Sequence, residues 1–169
     1  MPISQTPLDI EGYYVLTFHF GTNDSYVDEK DSTGEVAVDF AVFPHPEDSL
    51  RFQIAMSINI EHAEDRNEPY SLELELYGFF RFKPDTSKDI VNKMLFSNAA
   101  PILYGIARGY VGQATATAMH GPLMLPSYNF VALAARKLAK EREQAQQLAQ
   151  GTPDAAASDA GSDVAVTND

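Results

Sequence analysis

The side chains that could do chemistry are sparse, and their spacing argues against an enzyme. The four histidines are His19, His45, His62 and His120. No two of them stand at i+3 or i+4, and none falls in a zinc spacing. The run His62-Ala63-Glu64-Asp65 offers metal-ligand types but reads as a solvated connection between strands. Asp28, Asp31 and Glu35 form an acidic loop whose spacing does not fit a calcium site. Glu73 and Glu75 fall on one side of a strand, open to acid/base work but also the ordinary pattern of a wet sheet face. There is no Gly-x-Ser-x-Gly elbow and no glycine loop to cradle phosphate. Neither a catalytic residue nor a metal or cofactor is expected.

Large apolar side chains stand out instead. Tyr77, Phe79, Phe80 and Phe82 close one strand pattern, and Leu123, Met124, Leu125, Tyr128 and Phe130 follow a helix. Tyr77 and Phe79 fall on what should be the wet side of their strand, and exposed apolar patches mark partner sites. Tyr77, Phe79, Leu123, Met124, Leu125 and Tyr128 are therefore expected to form one partner-binding surface. Methionine and aromatic groups suit such a surface because they offer large area and repack easily. Phe80, Phe82 and Phe130 read equally well as core.

The elements that must position these residues are legible as periodicity. Tyr13–Phe20, Val36–Phe43, Leu50–Ile60 and Tyr70–Phe82 read as four strands, the last two with clean period-two alternation. Four strands in succession suggest an antiparallel sheet with one wet face. A long helix follows between Asp89 and Met119, with Pro101 starting a new segment or a kink. On its wheel Gly105, Gly109, Gly112 and Ala116 form one stripe, and Leu103, Ile106, Tyr110 and Ala114 lie opposite. Charge is nearly absent, so the helix should be buried on two sides. Three interior glycines cost about 1 kcal/mol each against alanine. The bulky side is expected on the sheet and the glycine stripe against another subunit; the alternative is a core helix with a kink. His120–Ser127 is a loop, and Asn129 caps a second helix from Phe130 to about Leu148.

The 169 residues support one domain of ordinary size, read as a flexible lead-in over 1–12, a folded part over 13–148 and an acidic tail over 149–169. The tail has almost no large apolar side chain and is expected to be disordered. A formal net charge of -12 works against phosphate contacts, so nucleic acid is not expected. The absence of cysteine excludes disulfides and thiolate metal sites. Met1-Pro2-Ile3-Ser4-Gln5 does not lead into a basic-then-apolar segment, and no apolar run is long enough for a bilayer. The expectation is a cytoplasmic protein with no membrane insertion.

Three segments together resemble the SecB family of protein-export chaperones. Tyr70-Ser71-Leu72-Glu73 through Gly78-Phe79-Phe80 is similar to the family's fourth strand. Ile102-Leu103-Tyr104 with Ala107-Arg108 resembles its helix motif. Leu123-x-Leu125-Pro126 with Asn129-Phe130-x-x-Leu133 resembles the entry to its second helix. These span residues 70–134. The resemblance implies an α+β fold, a four-stranded antiparallel sheet with one long and one shorter helix on one face. It implies a homotetramer built as a dimer of dimers with the long helices central, and an ATP-independent holdase for unfolded preproteins. In the family, acids on the first and fourth strands engage the SecA export motor. Glu73 matches in the fourth strand, whereas Val15 and His19 stand at the first-strand places. Gly109 replaces the family's acid after Ala-Arg, and Ala118 its helix-closing glycine. Divergent members serve as chaperones of antitoxins, and that role or a single-partner adaptor is the alternative reading.

Overall fold

The computed structural model describes residues 6–30, 35–61, 67–137 and 139. Four strands, β1 (Leu8–Thr22), β2 (Ala37–Pro44), β3 (Arg51–Ile60) and β4 (Tyr70–Phe82), form one sheet in the order β1-β4-β3-β2. Every neighbouring pair is antiparallel. The fourth strand shows why the alternation was readable. Tyr70, Leu72, Leu74, Leu76, Phe80 and Phe82 are all buried, and the residues between them are not, save Gly78. Ile54, Met56, Ile58 and Ile60 of β3 continue the same dry layer.

β1 begins at Leu8, so residues 8–12 belong to the sheet and not to a flexible lead-in; they pair with the end of β4, and Leu8 is 4% exposed. Their polar residues concealed the strand because two irregularities, between Ile10 and Gly12 and between Val15 and Thr17, break its alternation. The same breaks leave Leu16 exposed.

β1 and β2 are the two edges, so the chain between them must cross the whole sheet. Side-chain amides hold the described part of that crossing. Asn23 donates Nδ2 to the Glu68 carbonyl at 2.9 Å. Asn67 accepts from the Val27 amide and donates to the Val27 and Lys30 carbonyls at 2.8–2.9 Å. Residues 31–34 of the acidic loop, with Asp31, and residues 62–66, with His62, lie outside the described residues.

The long helical segment is α1 (Lys88–Met94), a π-turn (Leu95–Ala99) and α2 (Ala100–Ala114). The π-turn precedes Pro101, where a proline inside a helical run disturbs the regular ladder of hydrogen bonds. Pro101 cannot donate, and its ring crowds the carbonyl four residues back; widening the turn relieves both. The Ala100 amide reaches back to the Leu95 carbonyl, the five-residue spacing of a π-turn. The helix ends at Ala114, short of the expected Met119. Buried Thr115 stops it, with its hydroxyl donating to the Val111 carbonyl at 2.8 Å and accepting the Leu123 amide at 2.7 Å.

Ala100, Leu103, Tyr104, Ala107 and Val111 are the buried line of α2, at spacings of three and four. This differs from the expected Leu103-Ile106-Tyr110-Ala114 side: Ile106 and Tyr110 are half-buried and Ala114 is exposed. Alanines at 100 and 107 let the helix lie close, and hydrophobic bulk alone does not reveal that. At the nearest approach a β-carbon on Gly78 would stand 2.9 Å from Leu103 Cδ1 and 2.8 Å from Phe80 Cε2. Beyond the helix, Gly121 has φ 78°, a left-handed conformation that glycine adopts without penalty. Its carbonyl accepts the Tyr70 hydroxyl at 2.8 Å.

The chain divides into two compact units, Met1–Ala132 and Leu133–Asp169. Residues 130–137 and 139 are helical, and the Asn129 side chain caps the start by accepting the Ala132 amide at 3.0 Å. The expected disordered tail, 149–169, lies outside the described residues.

Gly78→Val should lower the free energy of unfolding by about 1–3 kcal/mol, because Leu103 and Phe80 are fully buried and have little room to give. In a Leu103→Ala background the added methyls occupy vacated space. Urea denaturation of the four proteins should therefore show a cost for the double variant below the sum of the two single ones.

Candidate functional site: two apolar surfaces on opposite faces of the sheet

The six residues expected to form one polypeptide-binding surface do not meet. Tyr77 and Phe79 alternate with the buried residues of β4 and face away from the helices. There Tyr77 stacks on Tyr14, ring centroids 5.1 Å apart and nearly parallel, and Phe79 lies 5.9 Å from the same ring. Leu123, Met124, Leu125 and Tyr128 lie on the other side, with the helix. The sheet separates the two groups. Their proximity in sequence to the same core concealed this, since period two alone does not say which loops return to which face.

On the helix side, Leu125 is 1% exposed and belongs to the core, so it leaves the list of surface candidates; the two prolines around this stretch gave no hint of its inward turn. Tyr128 is half-buried. Its hydroxyl donates to the Val36 carbonyl, and its ring meets Tyr104 edge-on at 5.6 Å. Tyr104 in turn donates its hydroxyl to the Pro126 carbonyl at 2.7 Å. Phe130 packs on Tyr104 and on Phe40 of β2, and Phe96 completes this aromatic cluster. Tyr104, Phe40 and Phe96 were not among the expected site residues; their spacing is that of core positions. Leu123 is half-buried and Met124 is 66% exposed.

Met124 leans over the glycine stripe. A β-carbon at Gly112 would lie 3.5 Å from Met124 Sδ and 3.7 Å from the Leu123 carbonyl. At Gly105 and Gly109 it would meet nothing within 4 Å. Gly112 is thus covered by the chain's own loop, and Gly105 and Gly109 are open. Ala116 drops out of the stripe, because the helix has ended and residue 116 sits in a turn.

The outer face of the sheet grades from aromatic to acidic. Across the four strands one row reads Tyr14, Tyr77, Ala55, Ala41, and the next toward the acidic end Thr17, Glu75, Ser57, Asp39. Glu73 is exposed beyond them, with His19 on one side and Asn59 on the other. Val15 pairs with Leu76, a core position, so of the two first-strand places only His19 shares the face of Glu73. At the aromatic end Glu11 accepts from Arg51 and Arg81 at 3.0 and 2.9 Å, and Asp48 stands 3.7 and 3.8 Å from the same two guanidinium groups. These pairs are partly solvated, so each adds little stability. Among the described residues no three carboxylates or histidines are grouped to hold a metal. No helix of the described residues is long and apolar enough to cross a membrane.

Residues 3–141 match the family described as preprotein translocase subunit SecB, and the chain belongs to that family. It is 28% identical to the protein-export protein SecB of Anaplasma phagocytophilum over 94 residues, 54% of this chain and 60% of that one. It is likewise 28% identical over 96 residues to the protein-export protein SecB of Afipia carboxidovorans, 57% of this chain and 59% of that one. The aligned regions thus span less than two thirds of these relatives. Among solved structures it is similar to the Mycobacterium tuberculosis Rv1957 SecB-like chaperone in complex with a ChAD peptide from the Rv1956 HigA1 antitoxin. The TM-score is 0.55 at 16% identity, covering 72% of this chain and 91% of that one. This likeness carries the fold: a four-stranded antiparallel sheet with a long helix.

Burial pushes the Tyr104 hydroxyl up from 10.0 to about 12, with the Tyr128 hydroxyl adding to the rise and Arg108 opposing it. A tyrosine with a raised folded pKa contributes its full stability below pH 10 and loses it as the pH climbs through about 12. The thermal midpoint should therefore fall across that window. Tyr104→Phe should flatten the fall while costing about 1 kcal/mol at neutral pH through the lost hydrogen bond.

Proposed function

We propose that this protein is an ATP-independent chaperone that holds unfolded polypeptides, including preproteins awaiting export, in the cytoplasm. Membership of the SecB family over residues 3–141 supports this reading. The observation that carries it is Met124, two-thirds exposed on the helix side beside half-buried Leu123 and Tyr128, over a helix stripe that its own chain leaves partly open. Methionine adapts to varied side chains, and many weak apolar contacts give holding without sequence specificity. Each Å² of apolar surface removed from water is worth roughly 25 cal/mol, so a long client needs only shallow sites. No catalytic step belongs to this function.

In the same reading the chain assembles as a homotetramer, a dimer of dimers, with Gly105 and Gly109 at a contact between long helices. Glu73 offers a carboxylate to the SecA motor, with His19 beside it in place of an acid. Service to an antitoxin is a second reading, supported by the antitoxin peptide bound to the M. tuberculosis neighbour.

Two measurements test these statements. The protein should suppress aggregation of a chemically unfolded, unrelated protein at stoichiometric ratio without nucleotide. Met124→Ser should weaken that suppression several-fold with little change in thermal midpoint, since the side chain is mostly in water. A variant as active as the parent removes Met124 from the surface, and a parent that protects only one antitoxin favours the second reading.

Gly109→Leu adds bulk where the protomer has none, and it raises helix propensity by several tenths of a kcal/mol. It should preserve the helical circular-dichroism signal while light scattering shows a smaller assembly. A monomeric parent, or an unchanged mass in the variant, rules out the glycine contact.

A further inference from the structure

The five methionines carry all the sulfur of the chain, which has no cysteine. An oxidant that attacks sulfur therefore acts on this protein through methionine alone. The fold divides the described methionines sharply. Met56 is 1% exposed on the dry face of β3, and Met94 is half-buried at the end of α1. Met119 and Met124, both in the segment that follows α2, are 75% and 66% exposed.

The position of the Met124 sulfur gives its oxidation a consequence. Sδ lies over Gly112, 3.5 Å from where a β-carbon would stand, with the Leu123 carbonyl 3.7 Å from the same point. An oxygen added to that sulfur is a strong acceptor beside another acceptor, so it turns outward to water. There it makes polar the side chain that a client's apolar groups would cover, and covering a sulfinyl group that has no donor costs free energy. Met119 lies within 4 Å of none of the β-carbon positions at Gly105, Gly109 and Gly112, so its oxidation does not act at the stripe. Charge selects the oxidant. A formal net charge of -12 repels anions and leaves a neutral hydroperoxide free to approach.

We propose that Met119 and Met124 are sites of reversible oxidation by a hydroperoxide, and that oxidation of Met124 switches off polypeptide holding. With hydrogen peroxide the thioether sulfur attacks one oxygen, and the O–O bond breaks as the S–O bond forms. Sulfur gives up two electrons and the peroxide gains them. The displaced hydroxide takes the proton of the transferred hydroxyl and leaves as water. A methionine sulfoxide reductase reverses the change, two thiols becoming a disulfide as the oxygen departs in water. The switch rests on the holding role proposed above for Met124.

In the test the full chain is treated with hydrogen peroxide, desalted, and divided between peptide mass mapping and the aggregation assay. Mapping should find sulfoxide at Met119 and Met124 well before Met56. Holding should fall several-fold at an unchanged thermal midpoint. It should return after treatment with both stereospecific reductases and dithiothreitol, a reagent that finds no disulfide in this chain. Oxidised Met119→Leu should lose holding as the parent does. Met124→Leu keeps an apolar side chain that peroxide does not attack, and its holding should be the same before and after treatment. Equal oxidation of Met56 and Met124 overturns the proposal. So does undiminished holding by a parent oxidised at Met124, a loss that the reductases do not reverse, or an equal loss in Met124→Leu. A parent that holds nothing before treatment refutes the holding role and the switch with it, while the mapping still decides the sites of oxidation.

Discussion

The structure depends on the close approach of one helix to the middle of one sheet face. Leu103 sits against the backbone at Gly78, with Ala100 and Ala107 on the same side of the helix, so that the buried leucines of β4 and the isoleucines of β3 meet it directly. Close-packed contact of this kind tolerates neither an extra methyl nor a void. One helix is narrower than four strands. It dries the centre of the face and leaves apolar residues of β1 such as Tyr13 and Phe20 substantially exposed. The fold thus carries more apolar surface at its edges than its core can absorb.

That constraint also shapes the helix. A stripe that lies flat on the sheet turns the opposite stripe outward, and here that stripe is glycine. Glycine in a helix is costly by itself, so its repeated use is explained by what it admits and not by what it contributes to the protomer. The loop after the helix takes up part of the vacancy with Met124, pinned by Thr115 at the helix end and by the Tyr70, Tyr104 and Tyr128 hydroxyls, each on a backbone carbonyl. Polar atoms of aromatic residues organise the loop, while its two strongly exposed methionines, Met119 and Met124, remain free to adapt.

The two faces of the sheet follow different rules. The helix side is dominated by packing. The outer side is a surface on which aromatic rows give way to acidic ones, with two arginines held at the aromatic end by Glu11 and Asp48. Family membership accounts for the scaffold.

Residues 70–82 determined their own structure, because Tyr70, Leu72, Leu74, Leu76, Phe80 and Phe82 recur at every second place, save Gly78, and period two has only one dry solution in a sheet. The antiparallel sheet, the long helix, the break at Pro101 and the Asn129 cap were legible for the same reason: each is a local pattern with a local cause. β1 was only partly legible, since its irregularities shift the alternation out of phase. That Tyr77 and Phe79 share the wet face was legible from alternation, but which residues beyond the strand join them was not. Tyr77 and Phe79 point away from Met124 and Tyr128 because the chain returns over the helix, and Leu125 is buried because Tyr104 draws in the carbonyl beside it. Those facts depend on contacts between residues 22 and 92 positions apart. Sequence periodicity carries no information over such distances, and only the packed structure decides them.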